Sequence, residues 1–433
     1  NNELRINNVT SDLNVHLVCY EEGHHGGDNA PVIEGNTLVK WDAVGDVVVP
    51  NNVKHIADYA FMGSKLTSLT ISAQVETIGV LPFMYCGQLK KLEVDAANPH
   101  FKSVDNAIYS KDGKELVQVA IVYHKEVFTL PTSVEKVRTG AFTFAMSIKK
   151  IEGSNDFFET VDGMLIRKAD RALMHYPSFV QQGQAAKPIE LPNDIKKIER
   201  YAFAFNFVPQ ELVLPESLEV LEDYAFNGAA NIVKLKIDHC KALKSVGNFC
   251  FKGCFRLASF DLPKEGVTFI GEQALQGTAI ASLNIPTNVQ IGANAFRGCQ
   301  SIANVFSFNT LPPVLDDLAF SDIVEIEQAT LHVPFGTKAV YSQAPGWKIF
   351  TNIVEEDLLS VDEVALDNVL FTTQGETLSL SGLNSAHVLV YDLEGKMLVE
   401  ANAHEAISLN LGRGHYIVVV SQEGKRIVKK IAL

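Results

Sequence analysis

The feature that most limits what this chain can fold into is a repeat. Residues 214–235 read LPESLEVLEDYAFNGAANIVKL: an LP step, an apolar ladder, an Ala-Phe pair, a return turn and a strand-like end. The same order recurs at 49–69 (VPNNVKHIADYAFMGSKLTSL), 130–151 (LPTSVEKVRTGAFTFAMSIKKI), 191–212 (LPNDIKKIERYAFAFNFVPQEL) and 285–305 (IPTNVQIGANAFRGCQSIANV). Looser copies lie at 72–92, 246–260 and 269–283. The phenylalanine slot falls at Phe203, Phe226, Phe251, Leu275, Phe296 and Phe320, at intervals of 23, 25, 24, 21 and 24 residues. A unit this short cannot bury an apolar face alone, so it must stack on copies of itself.

Each part of the unit has a physical job. In NIVKLKI (231–237), Ile232, Leu235 and Ile237 are the apolar residues of a short strand, with a slip in the alternation at Val233. Such strands pair in parallel from coil to coil. Proline in the LP step has no N–H and a fixed φ, which suits the end of a strand. In SLEVLEDYAF, Leu218, Leu221, Ala225 and Phe226 come close to the i, i+3, i+4 spacing of a helix, so short helical or irregular turns are expected here. Ala225 is small where a neighbouring coil approaches, Phe226 is an internal plug, and Gly228 can take a positive φ to turn the chain back.

Length and composition agree with a stacked array. A solenoid absorbs 433 residues without needing one oversized core. With 47% hydrophobic and 20% charged residues the chain is a folded one. A formal net charge of −14, with no compact basic patch, argues against nucleic acid as a partner. No apolar run reaches the length of a membrane helix. The opening NNELRINNVT has no signal-peptide pattern, so either export does not occur or a leader has been removed.

Along the chain, residues 1–35 lack the repeat and read as an N-terminal strand and loop extension or cap. The array runs over 36–355, interrupted near 101–120 and 158–177 by similar segments, FKSVDNAIYSKDGKELVQVA and FETVDGMLIRKADRALMHYP. Both read as β-hairpins added to the side of the stack. Tyr341, Trp347 and Phe350 can cover the last coil, as a solenoid end requires. An acidic linker spans 356–368. Residues 369–433 are short alternating strands with Gly-containing turns, expected to form a small antiparallel β-sandwich.

The LPxxVxxIxxxAFxGC pattern, the two insertions and the closing VPFGTKAVYSQAPGWKIFTNIVE resemble the BspA-like (treponemal-type) leucine-rich repeat proteins of bacteria. VYDLEGKMLVE and LGRGHYIVVVSQEGKRIVKKIAL resemble the C-terminal β-sandwich of many exported Bacteroidetes proteins, including type IX sorting domains, many of which are cleaved during secretion. The expected fold is therefore an α/β leucine-rich repeat solenoid followed by a small all-β sandwich. The resemblance implies export to the cell surface or beyond, and some members are adhesins for host matrix proteins or other bacteria.

Residues that could carry chemistry are few. No GxSxG, HExxH, Walker loop or GxGxxG is present. His24 and His25 beside Glu21, Glu22 and Asp28 could chelate a metal, but their glycine-rich setting suits a solvated loop. Asp105 and Asp162 recur at matching places, before Asn106 and Gly163, as turn residues do. NVT at 8–10 is a glycosylation sequon only in a secretory host. Cys86, Cys254 and Cys299 share one slot and Cys250 takes that of the repeat alanine, which suits buried thiols; a disulfide of Cys240 with Cys250 or Cys254 is the alternative. Without a CxxC pair or histidine cluster, metal binding is not expected.

The expectation is accordingly a non-catalytic surface or secreted binding protein without a cofactor. Its array would hold an extracellular protein, a glycoprotein or another bacterium. The alternative is a structural or scaffolding component of the bacterial envelope. Exposed positions beside the core, such as Lys234, Lys236, and Phe306 or Phe308 in VFSFNT, are candidate contacts; if that segment is a strand, one of the two rings must face the core.

Overall fold

In the computed structural model the described residues are 30–177, 189–205, 210–356, 358, 369–392, 396–422 and 425–433. The chain winds as a solenoid of about 13 turns with almost no helix. Among the described residues most coils carry two short strands. One precedes the LP step, as in Glu211–Val213 and Lys234–Lys236, and pairs in parallel with its counterpart one coil on. The other follows it, as in Val220–Leu221 and Ser245–Val246, and makes a second parallel ladder. Ile232, Leu235 and Ile237 point inward and are buried.

The helical turn expected in SLEVLEDYAF is replaced by a two-residue strand and a tight turn. A helix would need each N–H to bond a carbonyl four residues back. Here the N–H groups of Tyr224, Phe226 and Gly228 reach across to Asn248 O (2.9 Å), Cys250 O (2.9 Å) and Lys252 O (2.8 Å) of the next coil. Glu222 N–H bonds Ile198 O of the preceding one (3.0 Å). The apolar spacing that looked helical is the path of a coil wrapped round its own interior. The α part of the expected class is thus confined, among the described residues, to one helix, Lys338–Gln343, and a 3-10 turn, Ile326–Gln328.

Inter-coil bonding also holds a strained position. The residue before the Ala-Phe pair has a left-handed backbone in coil after coil: Tyr59 (φ 57°), Tyr201 (65°), Tyr224 (58°), Phe249 (56°), Gln273 (51°) and Asn294 (55°). A non-glycine residue pays of order 1 kcal/mol or more for this conformation, so it persists only where its surroundings over-determine it.

The phenylalanine slot is a stack. Phe226 lies 4.9 Å from Phe251 at 15°, and Phe296 lies 5.1 Å from Phe320 at 26°. That spacing is close to the 4.7–4.9 Å between adjacent strands. Three cysteines occupy one recurring slot and make the same bond there. Cys86, Cys254 and Cys299 donate S–H to the carbonyls of Phe61 (2.9 Å), Phe226 (3.1 Å) and Leu275 (3.1 Å), each the slot residue one coil back. All five described cysteines are free and buried, so the Cys240 disulfide is not formed. Burial pushes the Cys86 and Cys240 thiols up to about 12.

In residues 101–120 and 158–177 the antiparallel hairpin is part of a larger unit that joins the stack. Each is a three-stranded meander, Phe101–Val104 with Ala107–Ser110 and Glu115–Val119, and Phe158–Val161 with Met164–Arg167 and Ala172–His175. The third strand of each joins the second ladder in parallel. At the far end Tyr341, Trp347 and Phe350 are buried. The Tyr341 hydroxyl donates to Asn309 O (2.9 Å) and meets Ser307 Oγ (2.6 Å), while Trp347 Nε1 donates to Pro313 O (2.8 Å). Phe350 meets Phe320 edge-on at 5.2 Å, ending the ring stack.

Residues 370–432 correct the expected sandwich. Their strands form one five-stranded antiparallel sheet, a half-barrel, instead of two facing sheets. The long strand Thr377–Asp392 pairs along one edge with Met397–Asn410. Its other edge is shared between Leu370–Gln374 and His415–Gln422. Register shifts between Ser381 and Ala386 mark bulges that bend it. The curled inner face then encloses Leu378, Leu380, Val388, Val390, Val418 and Val420. Alternating apolar residues are common to both architectures, so the pattern alone could not separate them.

Candidate binding surface

The outward face of the first ladder is where the coils line up exposed side chains in register. Strand alternation puts Leu212, Leu235, Leu283, Val305 and Leu331 inside and turns their neighbours out. Lys234 and Lys236 stand on this face, and each ammonium lies 3.3 Å from the Glu211 carboxylate. Their hydrogen bonds and charges hold the Glu211 carboxyl below its usual range, Lys236 foremost. Both lysines are therefore engaged with a neighbouring coil.

Toward the C-terminal end the face changes character. The paired strands Ser282–Ile285, Asn304–Ser307, Thr330–Pro334 and Asn352–Glu356 set two columns in register, Ser282, Asn304, Thr330 and Asn352, then Asn284, Phe306, His332 and Val354. None of these eight carries a fixed charge. Of the two rings in VFSFNT, Phe308 is the buried one, and Phe306 stands outward. Phe306 stacks on His332 with centroids 4.2 Å apart and planes 14° apart. The His332 ring reaches Glu356 Oε1 through Nδ1 (2.8 Å) and Asn304 Oδ1 through Nε2 (3.1 Å). Asn352 Nδ2 donates to Thr330 Oγ1 (2.8 Å). The result is a pre-positioned hydrogen-bonding surface around one aromatic pair, with the Glu356 carboxylate at its edge.

The two aspartates singled out in the sequence, Asp105 and Asp162, sit in turns. Asp105 and Asn106 (φ 52° and 58°), like Asp162 and Gly163 (φ 49° and 82°), are the paired left-handed residues of tight hairpin turns. Asp105 also accepts from Lys125 Nζ (2.6 Å) and Tyr123 Oη (2.8 Å) and lies 2.9 Å from His124 Nε2. The Lys125 bond above all lowers its carboxyl pKa. His24, His25, Glu21, Glu22, Asp28 and the 8–10 sequon lie outside the described residues. Among the described residues no three His, Cys, Asp or Glu side chains gather as metal ligands would. No helix there is long and apolar enough to cross a membrane.

A second feature went unread in the sequence. The turn edge of the coils carries partly exposed aromatic and methionine side chains, including Tyr59, Met62, Tyr85 and Phe255. The signal was present as the aromatic residue before Ala or Cys in YAF and FCF, at Tyr59, Tyr201, Tyr224 and Phe249. Tyr201, Tyr224 and Phe249 stack at 5.2 and 4.8 Å. Their faces cover one another, so this edge offers ring rims and not open plates.

A family model described as the BspA type leucine rich repeat region matches residues 33–121 and 177–332, in 6 copies. Among solved structures the chain is similar to the pneumococcal vaccine antigen PcpA, with 20% identity over 72% of this chain and 79% of that one, and a TM-score of 0.42. It is similar to a leucine-rich repeat protein from Eubacterium ventriosum, with 16% identity over 63% and 80% and a TM-score of 0.42. A leucine rich cell surface protein from Faecalibacterium prausnitzii shares 17% identity over 76% and 95%, with a TM-score of 0.34. No curated protein matches the chain in sequence.

Proposed function

The chain belongs to the BspA-type leucine-rich repeat family, and we propose that it is a non-catalytic binding protein of the cell surface or the extracellular space. Its array takes an extracellular protein or glycoprotein as ligand, in the manner of an adhesin. The observation that carries this reading is the in-register polar and aromatic face around Phe306 and His332. A regular solenoid face with an ordered aromatic pair suits an extended partner. Members of this repeat class fold to present surfaces, and fold alone does not name a ligand.

The test is capture by the immobilised full chain from host extracellular matrix, mucin and bacterial envelope extracts at physiological salt. A matrix or mucin component that saturates on titration, and is weakened by Phe306→Ala, is the expected result. Capture of envelope proteins alone, unaffected by that change, would replace the reading with an envelope scaffold. Capture of nothing would remove its support.

A further inference from the structure

Both backbone ladders break at the same two places; the first breaks once more after Ser259–Phe260, where the second ladder and the apolar interior stay continuous. The second ladder stops after Thr77–Ile78 and resumes at Glu115–Val119, then stops after Lys136–Val137 and resumes at Ala172–His175. The first stops after Lys91–Val94 and after Lys150–Glu152. The apolar interior divides there too, into three separate clusters. The meanders are the partitions. In the first, Ile108 and Val117 face one cluster, while Tyr109 and Leu116 face the next. In the second, Phe158 and Leu165 face back, and Met164 and Ile166 face forward. Each meander is a septum, and packed faces can shift against each other where hydrogen-bonded ladders cannot.

Across these septa the turn edge makes direct contacts. The Tyr85 ring, from the first block, lies 4.9 Å from Phe144 of the second and 5.4 Å from Phe205 of the third. Phe144 and Phe205 stack at 4.6 Å and 19°. Tyr59 Oη meets Tyr201 Oη at 3.4 Å, and Leu81 packs with Tyr201 and Ala204 in a small buried cluster of its own. Gly140 makes the reach possible. It holds the left-handed position occupied elsewhere by Tyr59, Tyr201 and Tyr224, and a Cβ there would fall 2.5 Å from Leu81 Cδ2.

We propose that this aromatic cluster is a clasp that fixes the angle between the first block and the rest of the array, and that opening it lets the first block move on its septum as a unit. Two clasp residues, Tyr59 and Tyr85, are more than a third exposed, so opening requires little desolvated surface to be rebuilt. Truncating Tyr85 and Phe205 removes the ring contact between the first and third blocks and leaves the Tyr59–Tyr201 contact and every backbone ladder in place.

The chain carries its own reporters. Cys86, adjacent to Tyr85, is a buried thiol of the first block, while Cys254 and Cys299 are buried thiols of the third. The experiment is pulsed alkylation of the native full chain, read by peptide mass spectrometry, for wild type, Tyr85→Ser with Phe205→Ser, and the milder Phe144→Leu. Cys86 is expected to label about tenfold faster in the double variant and less so in Phe144→Leu, with Cys254 and Cys299 unchanged. Small-angle scattering should show a larger maximum dimension in the double variant. Equal acceleration of all three thiols in both variants would mean general loosening and overturn the clasp. Unchanged Cys86 labelling with unchanged dimensions would overturn it as well.

Discussion

The rings of Phe203 and Phe226 lie 4.5 Å apart and within 7° of parallel, one coil above the other. Stacked at the coil spacing, each ring excludes water from its neighbours on both sides, so the slot behaves as one continuous column. The parallel arrangement is imposed by the repeat, and burial is what makes it favourable.

Truncating the middle of the column should therefore be costly. Phe226→Ala leaves a cavity between two rings that backbone ladders hold at fixed separation, and a loss of about 3–5 kcal/mol is expected. Phe226→Leu should cost less than half of that, because Leu275 fills the same slot in a native coil, fully buried. Urea unfolding of both variants measures the pair; equal losses would show that the slot demands a ring.

Two glycines separate close approach from open space. A Cβ on Gly271 would lie 2.4 Å from Asn248 N of the preceding coil, whereas one on Gly87 would meet nothing within 4 Å. Gly271→Ala is expected to destabilise by about 1–3 kcal/mol through overpacking. Gly87→Ala should be neutral or stabilising by up to about 1 kcal/mol, since it restricts only the unfolded chain. Thermal unfolding of the two variants, compared at one pH, checks the ordering.

Buried His175 gives the fold an acid sensitivity. It stacks on Phe142 at 5.2 Å, and burial pushes its pKa down to about 3. Arg138, Arg200 and Glu199 line the small cleft beside it. Between about pH 6.5 and 3 the unfolded chain binds a proton on this ring that the folded chain does not. Stability from this group is then full above pH 6.5 and falls by about 1.4 kcal/mol for each unit of pH lowered through that window. His175→Phe should reduce the slope of stability against pH by about one proton between pH 6 and 4. An unchanged slope would mean the ring is not buried neutral.

How much of this was readable beforehand follows from what each residue does locally. Phe226, Ala225 and the slot shared by Cys86, Cys254 and Cys299 were legible because a stack forces the same kind of side chain into the same place at a fixed interval. The turn conformation was not. Leu218, Leu221 and Phe226 satisfy a helix and a coil equally, and the choice is made by N–H groups that find partners in another coil. The half-barrel was hidden for a related reason, since alternation records which face is apolar and not what covers it. Phe306 could be narrowed to one of two rings; its partner His332 is a coil away, and no local pattern pairs them. The Tyr85, Phe144 and Phe205 cluster joins coils that are not neighbours in sequence, which a repeat alignment treats as independent.

Phe306 offers the sharpest test of the binding surface, because its structural and recognition roles predict opposite balances of effect. It is half-buried on an outward face, packed on His332 and outside the interior. Phe306→Ala removes no core contact, so stability should change by no more than about 1 kcal/mol. An aromatic anchor at the centre of an interface typically costs about 2 kcal/mol or more when truncated, a weakening of roughly thirtyfold. Asn284→Ala, in the same column one coil earlier, should weaken the same ligand by less, as a rim position does. Titration of whatever ligand the full chain captures, against wild type and both variants, measures the ranking. A Phe306→Ala protein that unfolds more readily yet binds its ligand undiminished would move the site elsewhere on the array.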